Sequence, residues 1–260
     1  MRLIVADDEA GMSRAAADLF CEAVVAKPSS AVLVAKPSSA VLVATGNTPM
    51  GMYADIAARQ AVGQCDCGQL RAIQLDEYLG IPAGDRRSLY GWMRRSFIDP
   101  LGIPDAQVMR LAGDAADPDA ACAAFATAIR EAGGIDISVL GLGPNGHLGF
   151  NEPPSAADAP TRVITLTEAS IESNAAYWGS RDDVPRRAMT VGMDVLLAAR
   201  LTIVVVSGER KREILRRMMT GPVSPDVPAS FLQTAANVVV VADRAAAGEL
   251  ASMAASGAAR

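Results

Sequence analysis

The sequence has few aromatic residues, a single histidine and no block of basic residues. Aromatic residues make up 4% of the 260 positions, so the core must be built mainly from Ala, Val, Leu, Ile and Met. The net charge of −5 gives no support to nucleic-acid or membrane-surface binding, because both usually require clustered positive charge. An anionic small molecule is still a candidate ligand, since a local cationic site can lie within an acidic protein.

Long apolar runs and metal-ligand spacings are also missing. No stretch reaches the roughly eighteen apolar residues of a membrane helix, and the acidic residues from Asp7 onward argue against a secretory signal. The cysteines are Cys21, Cys65, Cys67 and Cys122. Their spacing fits no standard zinc pattern, and His147 is the only histidine. The sequence therefore predicts a cytoplasmic protein with reduced thiols, no bound metal and no membrane partner.

Short apolar runs alternate with Ala-rich stretches of helical period. The runs are residues 40–44, 70–75, 135–142, 201–206 and 237–242, and the helical stretches include 11–25, 117–132 and 210–219. Runs this apolar are typical of parallel strands that are covered on both faces. The alternation predicts the α/β class, with one Rossmann-like domain over residues 1–260 and a mostly parallel central sheet flanked by helices.

The nonamer VAKPSSAVL occurs twice in tandem, at residues 25–33 and 34–42. Solenoid repeats are longer and need at least three copies, so this duplication does not indicate repeat architecture. Only the second copy continues into the segment that begins at Thr45. We therefore expect residues 40–44 to form a central strand and the first copy to be surplus.

A first candidate site follows the predicted strand at residues 40–44. It consists of Thr45, Gly46, Asn47 and Thr48. A glycine permits close approach of the backbone, and the start of a helix near Met50 would offer amide groups to a phosphate. The Gly-Lys-Ser/Thr ending of a Walker loop is absent. A simple turn with a helix cap is the alternative interpretation of so short a motif.

Acidic residues mark a second candidate site at Asp76 and Glu77, directly after the run at residues 70–75. Ligands of open α/β sheets bind beyond the carboxyl ends of the strands. An aspartate there could act as a general base, because partial burial raises its pKa toward neutrality. A helix cap or a surface ion pair is the alternative.

The Gly-rich segment 140–153 presents the chain's only histidine after another predicted strand. Glu152 follows His147 by five residues and could orient the imidazole, as the third member of a catalytic triad does. Gly143, Gly146 and Gly149 would leave room for a ligand against the backbone. We expect the Pro-rich residues 151–160 that follow to form a mobile active-site lid.

Cations follow the predicted strand at residues 201–206. Arg210, Lys211 and Arg212 would lie at the mouth of the sheet, where they could bind a phosphate. An exposed, charged first turn of a helix explains the same pattern.

Together these segments resemble the glucosamine-6-phosphate deaminase family. The matching segments are ATGNTPM (44–50), LDEYLGIP (75–82), GLGPNGHLGFNEP (141–153), TVGM (190–193), SGERK (207–211) and GPVSPDVPASFLQ (221–233). Their order and spacing match over nearly the whole chain. The related 6-phosphogluconolactonases carry a different histidine loop, which is not found here.

The resemblance implies aldose–ketose isomerisation coupled to loss of ammonia from a hexosamine 6-phosphate. His147, oriented by Glu152, would open the sugar ring, and Asp76 would move the proton between C2 and C1. Thr45, Gly46, Asn47, Thr48 and Lys211 would hold the phosphate. No cofactor or metal would be needed, because the carbonyl of the sugar supplies the activation. A small-molecule amino-sugar phosphate is thus the expected partner, with no nucleic acid, and homo-oligomerisation stays open.

Two positions depart from the family pattern. Asn145 stands where some relatives carry Asp, which removes one charge from the set around His147. Ala176 stands where the family often has an Arg that contacts the phosphate. The galactosamine 6-phosphate epimer is therefore a competing substrate. A lactone hydrolase and a sugar-phosphate-sensing module are the other candidate functions.

Overall fold

The computed structural model describes residues 1–25 and 39–255 of the chain. The strands are β1 (Arg2–Ala6), β2 (Ala40–Val43), β3 (Arg71–Gln74), β4 (Asp76–Tyr78), β5 (Val108–Met109), β6 (Ile137–Gly141), β7 (Arg162–Thr165), β8 (Arg187–Thr190), β9 (Leu201–Val206) and β10 (Val238–Asp243). The α-helices are α1 (Glu9–Val25), α2 (Met50–Ala61), α3 (Leu89–Met93), α4 (Asp99–Leu101), α5 (Pro118–Glu131), α6 (Glu168–Trp178), α7 (Met193–Leu197), α8 (Arg212–Thr220), α9 (Arg244–Ala247) and α10 (Leu250–Ala255). A π-helical turn covers Arg94–Ile98, and 3₁₀ turns cover Asp105–Gln107, Glu209–Lys211 and Pro228–Thr234.

Seven strands form a parallel sheet in the order β1-β10-β9-β6-β2-β3-β5. The chain proceeds from β2 outward through β3 to β5, and then returns to β6 on the other side of β2. The direction of winding therefore reverses between β2 and β6. In a doubly wound sheet this reversal opens a crevice at the carboxyl ends of the two strands.

Both faces of the sheet are buried, which explains why its strands are almost continuously apolar. Leu42 and Leu140 belong to one hydrophobic cluster, whereas their neighbours Val41 and Val139 belong to the cluster on the opposite face. Helices α1 and α2 cover the second face and pack directly on each other. The α/β class and the mostly parallel sheet expected from the sequence are confirmed.

A smaller antiparallel sheet has the order β4-β8-β7. It packs with α6 through a third cluster in which Tyr78, Phe150 and Trp178 are in ring contact. Its strands have three or four residues and mixed polarity, so no periodic pattern in the sequence marks them. Strand β1, at the edge of the large sheet, was also not predicted from the sequence.

The apolar runs predicted as strands all contain one, although the ends of most strands differ by one or two residues. The helix predicted at residues 117–132 is α5, and the Asp117 side chain caps it by accepting a hydrogen bond from the amide of Ala120. The run at residues 40–44 contains β2, which pairs with β3 on one side and β6 on the other. The second copy of the nonamer therefore supplies the central strand. The first copy, apart from Val25 at the end of α1, lies outside the described residues.

No helix within residues 1–25 and 39–255 is both long and apolar enough to span a membrane.

Candidate active site

A cleft of about 210 Å³ opens at the reversal point of the large sheet. The segments that follow β2, β3 and β6 line it, together with Lys211 after β9. All four sequence motifs thus meet because parallel strands end at the same edge of a sheet. The sequence separates these motifs by up to 166 residues, from Thr45 to Lys211.

The segment after β2 forms one wall of this cleft. Thr45, Gly46, Asn47 and Thr48 all line it. Gly46 has φ +120, in the region that favours glycine, and an added Cβ there would meet no atom within 4 Å. Helix α2 begins directly afterwards, and no described side chain caps its N-terminus. Free amide groups at the start of a 12-residue helix favour an anion at this wall.

Asp76 and Glu77 are neighbours in sequence but have different environments. Asp76 is 7% exposed and lines the cleft. Burial, together with the nearby charge of Glu77, raises the pKa of Asp76 to about 8. Glu77 instead accepts hydrogen bonds from the amides of Tyr78, Leu89 and Tyr90 and from the side chain of Gln74, so it anchors the chain below the cleft.

His147 and Glu152 are in contact, as their spacing predicts. The imidazole Nδ1 lies 3.2 Å from Glu152 Oε2, and the Asn145 amide group donates to the same oxygen at 2.7 Å. Burial raises the pKa of Glu152, but hydrogen bonds from His147, Ser170 and Asn145 and the positive charge of a protonated imidazole outweigh burial and lower it to about 2. Glu152 is therefore an ionised acceptor, and Asn145 suits it because its amide NH2 group is a hydrogen-bond donor at any pH.

The glycines of the histidine loop are packed closely against other side chains of the protein. A Cβ on Gly143 would lie 2.0 Å from the His147 ring, and one on Gly146 would lie 2.7 Å from the side chain of Val227. Gly149 has φ +58 and faces Thr190 at 3.1 Å. Gly143 and Gly149 nevertheless line the cleft, whereas Gly146 is not among its lining residues. That these glycines leave room for a ligand stays a prediction.

Only one of the three cations after β9 lines the cleft in the described part of the chain. Lys211 Nζ donates to the carbonyl oxygen of Leu142 at 2.6 Å, and burial lowers the pKa of this ammonium group. Arg210 and Arg212 line a separate surface groove between α8 and α9. Arg210 and Arg212 are exposed, as the charged first turn of a helix would be, whereas phosphate binding by Lys211 stays a prediction.

Residues 151–160, expected to form a lid, are held by buried contacts in their first half. Asn151 is fully buried and donates to the carbonyl oxygens of Leu148 and Val191. Arg162 donates to the side chains of Asn151 and Ser155. The residues that line the cleft do not come from this segment in the described structure, and its movement stays a prediction.

Helix α6 forms the opposite wall and was missed by the sequence analysis. Its cleft-lining residues are Ser170, Ser173, Asn174, Tyr177 and Trp178. Their spacing of three and four residues places them on one face of the helix, which is a signal the sequence does contain. Ala176 is exposed on this helix and is not among them. Arg87 and Trp92, from the chain between β4 and α3 and from α3 itself, complete the wall.

Residues 1–25 and 39–255 contain no group of three or more His, Cys, Asp or Glu side chains placed to hold a metal ion.

The chain matches the family model of glucosamine-6-phosphate isomerases/6-phosphogluconolactonase over residues 7–241. It is 41% identical over 250 residues to a glucosamine-6-phosphate deaminase of Cutibacterium acnes, which covers 96% of this chain and 92% of the relative. A deaminase of the same name from Halothermothrix orenii is 37% identical over 247 residues and covers 95% and 99% of the two chains.

Solved structures of deaminases and lactonases have the same fold as this chain. A monomeric glucosamine-6-phosphate deaminase superposes with a TM-score of 0.89 at 30% identity, covering 95% of this chain and 99% of that one. The 6-phosphogluconolactonase of Trypanosoma brucei superposes with a TM-score of 0.74 at 21% identity over 96% and 98% of the two chains. At that identity the lactonase shares the fold alone.

Proposed function

The chain belongs to the glucosamine-6-phosphate isomerase/6-phosphogluconolactonase family, and we propose that it converts a hexosamine 6-phosphate and water into a ketohexose 6-phosphate and ammonia. It is an enzyme of the glucosamine-6-phosphate deaminase type. The observation that carries this proposal is the meeting of Asp76, the His147–Glu152 pair and Lys211 around one cleft. A proton acceptor, an oriented imidazole and an anion-binding wall are what this reaction requires.

Ring opening is the proposed task of His147. The sugar ring opens when a proton leaves the anomeric hydroxyl and another reaches the ring oxygen. An imidazole can do both, since it carries an acceptor and a donor nitrogen. The ionised Glu152 carboxylate at Nδ1 favours the tautomer whose Nε2 is free to accept a proton. Asn145 supports this role by donating to the same carboxylate oxygen.

Proton transfer at C2 is the proposed task of Asp76. Its carboxylate removes the proton from C2 of the open aldehyde and returns it to C1, while a proton of the C2 ammonium group passes to the aldehyde oxygen, which becomes the C1 hydroxyl. The double bond then lies between C2 and nitrogen, as an iminium ion. Water adds to C2, and the amine leaves as ammonia, so atoms balance without an outside oxidant. A buried carboxylate with a pKa near 8 is a stronger base than an exposed one, which suits removal of a proton from carbon.

The phosphate is proposed to bind between Thr45–Thr48 and Lys211. The start of α2 supplies amide groups and the lysine supplies charge, and both features favour a dianionic ligand. The lactone-hydrolase alternative is weaker, because the family model covers both activities and the lactonase structures that match are under 25% identical. A sensing module would not require a buried carboxylate beside an oriented histidine.

The experiment is turnover of a hexosamine 6-phosphate by the purified full chain in heavy water, with ammonia and sugar products quantified. We expect ammonia and ketose phosphate in equal amounts, with deuterium at C1 from exchange on the base. Ammonia without ketose phosphate, or no turnover of any hexosamine 6-phosphate, would contradict the proposal. Ketose phosphate formed with no deuterium at C1 would still support the overall reaction. It would contradict exchange of the proton with solvent while Asp76 holds it.

A further inference from the structure

Ser170, on the cleft-facing side of α6, reaches the catalytic carboxylate from the opposite wall. It is 2% exposed, and its hydroxyl forms a hydrogen bond with Glu152 Oε1. An ionised carboxylate only accepts hydrogen bonds, so the serine hydroxyl is the donor. The other oxygen, Oε2, receives Asn145 and faces His147. Each oxygen of Glu152 is thus held by a different part of the protein.

The serine is itself fixed by the first turn of α6. The Thr167 side chain caps the helix by accepting from the Ser170 amide, and the Ser170 carbonyl accepts from the side chain of Asn174 at 2.8 Å. Ser173 and Asn174 line the cleft one turn further along the same face. The position of the hydroxyl is therefore set by a helix that also forms part of the binding wall.

We propose that Ser170 is a positioning residue, whose hydroxyl fixes the Glu152 carboxylate so that Oε2 stays directed at Nδ1 of His147. Without this donor, Oε1 loses a charge-assisted hydrogen bond and the carboxylate is free to rotate about its terminal bond. The imidazole then loses the partner that selects its Nδ1–H tautomer, and Nε2 is less often the free acceptor. The consequence for turnover rests on the function proposed above, whereas the consequence for the imidazole does not.

The test compares Ser170→Ala, Ser170→Cys and Ser170→Thr with Ser138→Ala in the full chain. Ser138 is the matched control, because it is fully buried on β6 and its hydroxyl makes no hydrogen bond among the described residues. The single histidine allows its tautomer to be measured from imidazole ¹⁵N shifts without sequence assignment. These spectra are recorded in alkaline solution, where imidazole is neutral, and need no substrate.

We expect Ser170→Ala to shift the imidazole toward the Nε2–H tautomer and to lower kcat/KM about tenfold, the size of one hydrogen bond to a charged group. Ser170→Cys, a weaker donor of similar size, should lie between Ser170→Ala and the unmodified chain, and Ser170→Thr should restore both values. Unchanged tautomer and kcat/KM in the alanine and cysteine variants would overturn the proposal. Equal losses in Ser138→Ala would also overturn it, because they would reflect the removal of any buried hydroxyl.

A second observation, independent of the first, concerns positive charge in the cleft. Lys211 and Arg87 are the cationic side chains that line it in the described part of the chain. A sugar phosphate carries about 1.5 to 2 negative charges near neutral pH, more than one lysine offsets. Burial already lowers the pKa of Lys211. The partial positive charge at the start of α2 offsets part of the remainder. Arg87 is the other cationic group that lines the cleft.

The guanidinium of Arg87 is held in place from two sides. Asp85 accepts from Nε at 3.1 Å and from Nη2 at 2.8 Å, and the group stacks over the ring of Trp178 at 4.7 Å. Its Nη1 makes no hydrogen bond to any described residue, so two N–H donors stay available. A planar guanidinium with its orientation fixed and a free edge is suited to bind an anion.

We infer that Arg87 contacts the anionic group of the substrate and contributes to selection of phosphorylated sugars. The test measures inorganic phosphate binding by calorimetry to the full chain and to Arg87→Ala, Arg87→Lys and Arg86→Ala. Arg86 is the matched control, an exposed neighbour outside the cleft. No turnover is needed, so the result is separate from that of the proposed reaction.

We expect Arg87→Ala to weaken phosphate binding about tenfold, as loss of one charged hydrogen bond would, and to raise KM for the sugar phosphate similarly. Arg86→Ala should bind phosphate as the unmodified chain does, and Arg87→Lys should be intermediate. Unchanged phosphate binding in Arg87→Ala would overturn the inference. Equal weakening in Arg86→Ala would do so too, since it would indicate general surface charge.

Discussion

Gly143 lies directly beneath the imidazole of His147. A Cβ at this position would come within 2.0 Å of ring Cδ2 and 2.2 Å of Nε2, closer than any two such atoms can approach. The backbone reinforces this arrangement, because the Gly143 amide donates to the His147 carbonyl at 3.1 Å. The glycine thus determines where the imidazole can lie, and with it the direction of Nε2.

Gly143→Ala should therefore displace the imidazole and lower kcat by at least about a hundredfold, because a displacement near 1 Å at a catalytic group costs about that much. The measurement is steady-state ammonia release, with circular dichroism to establish folding. Gly84→Ala is the control, since a Cβ on Gly84 meets no atom within 4 Å and this glycine has no positive φ. Full activity in Gly143→Ala would show that the ring position is not set by this contact.

The local part of the site was predictable from the sequence, and the part across the cleft was not. Glu152 follows His147 by five residues within one loop, so their contact needs only local geometry. Asp76 and Lys211 were found because parallel strands end at one edge. Ser170 contacts Glu152 from helix α6, and Arg87 reaches the cleft beside Trp178, on which it stacks. Such contacts depend on tertiary packing, which periodicity does not encode.

The fold also has a part that was predictable from the sequence and a part that was not. The apolar strands of the large sheet were predictable because burial on both faces leaves a continuous apolar run. The small sheet was not, because Arg162–Thr165 has no fully buried residue and lacks that signal. The close contacts of Gly143 and Gly146 were not predictable for a related reason, since sequence shows that a glycine is present but not which atoms approach it.

Asp76→Asn should lower kcat by at least about a hundredfold, since a positioned general base contributes roughly 10²–10⁴. In the unmodified chain kcat/KM should rise with pH and level off above about 8, because the raised pKa of Asp76 leaves the base protonated below that value. A pH series of kcat/KM measures this. Near-normal turnover of Asp76→Asn would rule out Asp76 as the base.

The raised pKa of Asp76 should also make the folded protein less stable as pH rises, whereas kcat/KM increases over the same range. The pKa of Asp76 is raised from 3.8 to about 8, so between those values the folded protein retains a proton that the unfolded chain has lost. Its contribution to the free energy of unfolding is therefore lost as pH rises through this window. Asn cannot titrate, so the Tm of Asp76→Asn minus that of the unmodified chain should increase from about pH 5 to about pH 9. A Tm difference that stays constant with pH would contradict the raised pKa.

Lys211→Ala should raise KM by about tenfold or more with a smaller change in kcat, because the phosphate contact is shared by substrate and transition state. Arg210→Ala is the control, since Arg210 is adjacent in sequence but lines the other groove. Initial-rate kinetics on a hexosamine 6-phosphate separates the two constants. Equal KM values for Lys211→Ala and the unmodified chain would remove the lysine from the phosphate site.

Deletion of residues 25–33 should leave a folded, active enzyme with a higher Tm and better solubility, since one nonamer suffices for β2. Matched substitutions test which copy is used. Leu42 is fully buried in β2, so Leu42→Asp should unfold the protein, whereas Leu33→Asp, at the same place in the first copy, should be tolerated. Thermal unfolding of the three variants is the measurement. A less stable deletion variant would show that the first copy has become part of the structure.

The most direct test of the whole account is ammonia release by the purified chain from a panel of sugars at matched concentrations. The panel contains glucosamine 6-phosphate, galactosamine 6-phosphate and unphosphorylated glucosamine, with 6-phosphogluconolactone hydrolysis followed separately by acid release. The account predicts ammonia and a ketose 6-phosphate in equal amounts from one of the two hexosamine phosphates, very slow reaction of the unphosphorylated sugar and no hydrolysis of the lactone. Lactone hydrolysis without ammonia release from either hexosamine phosphate would contradict it.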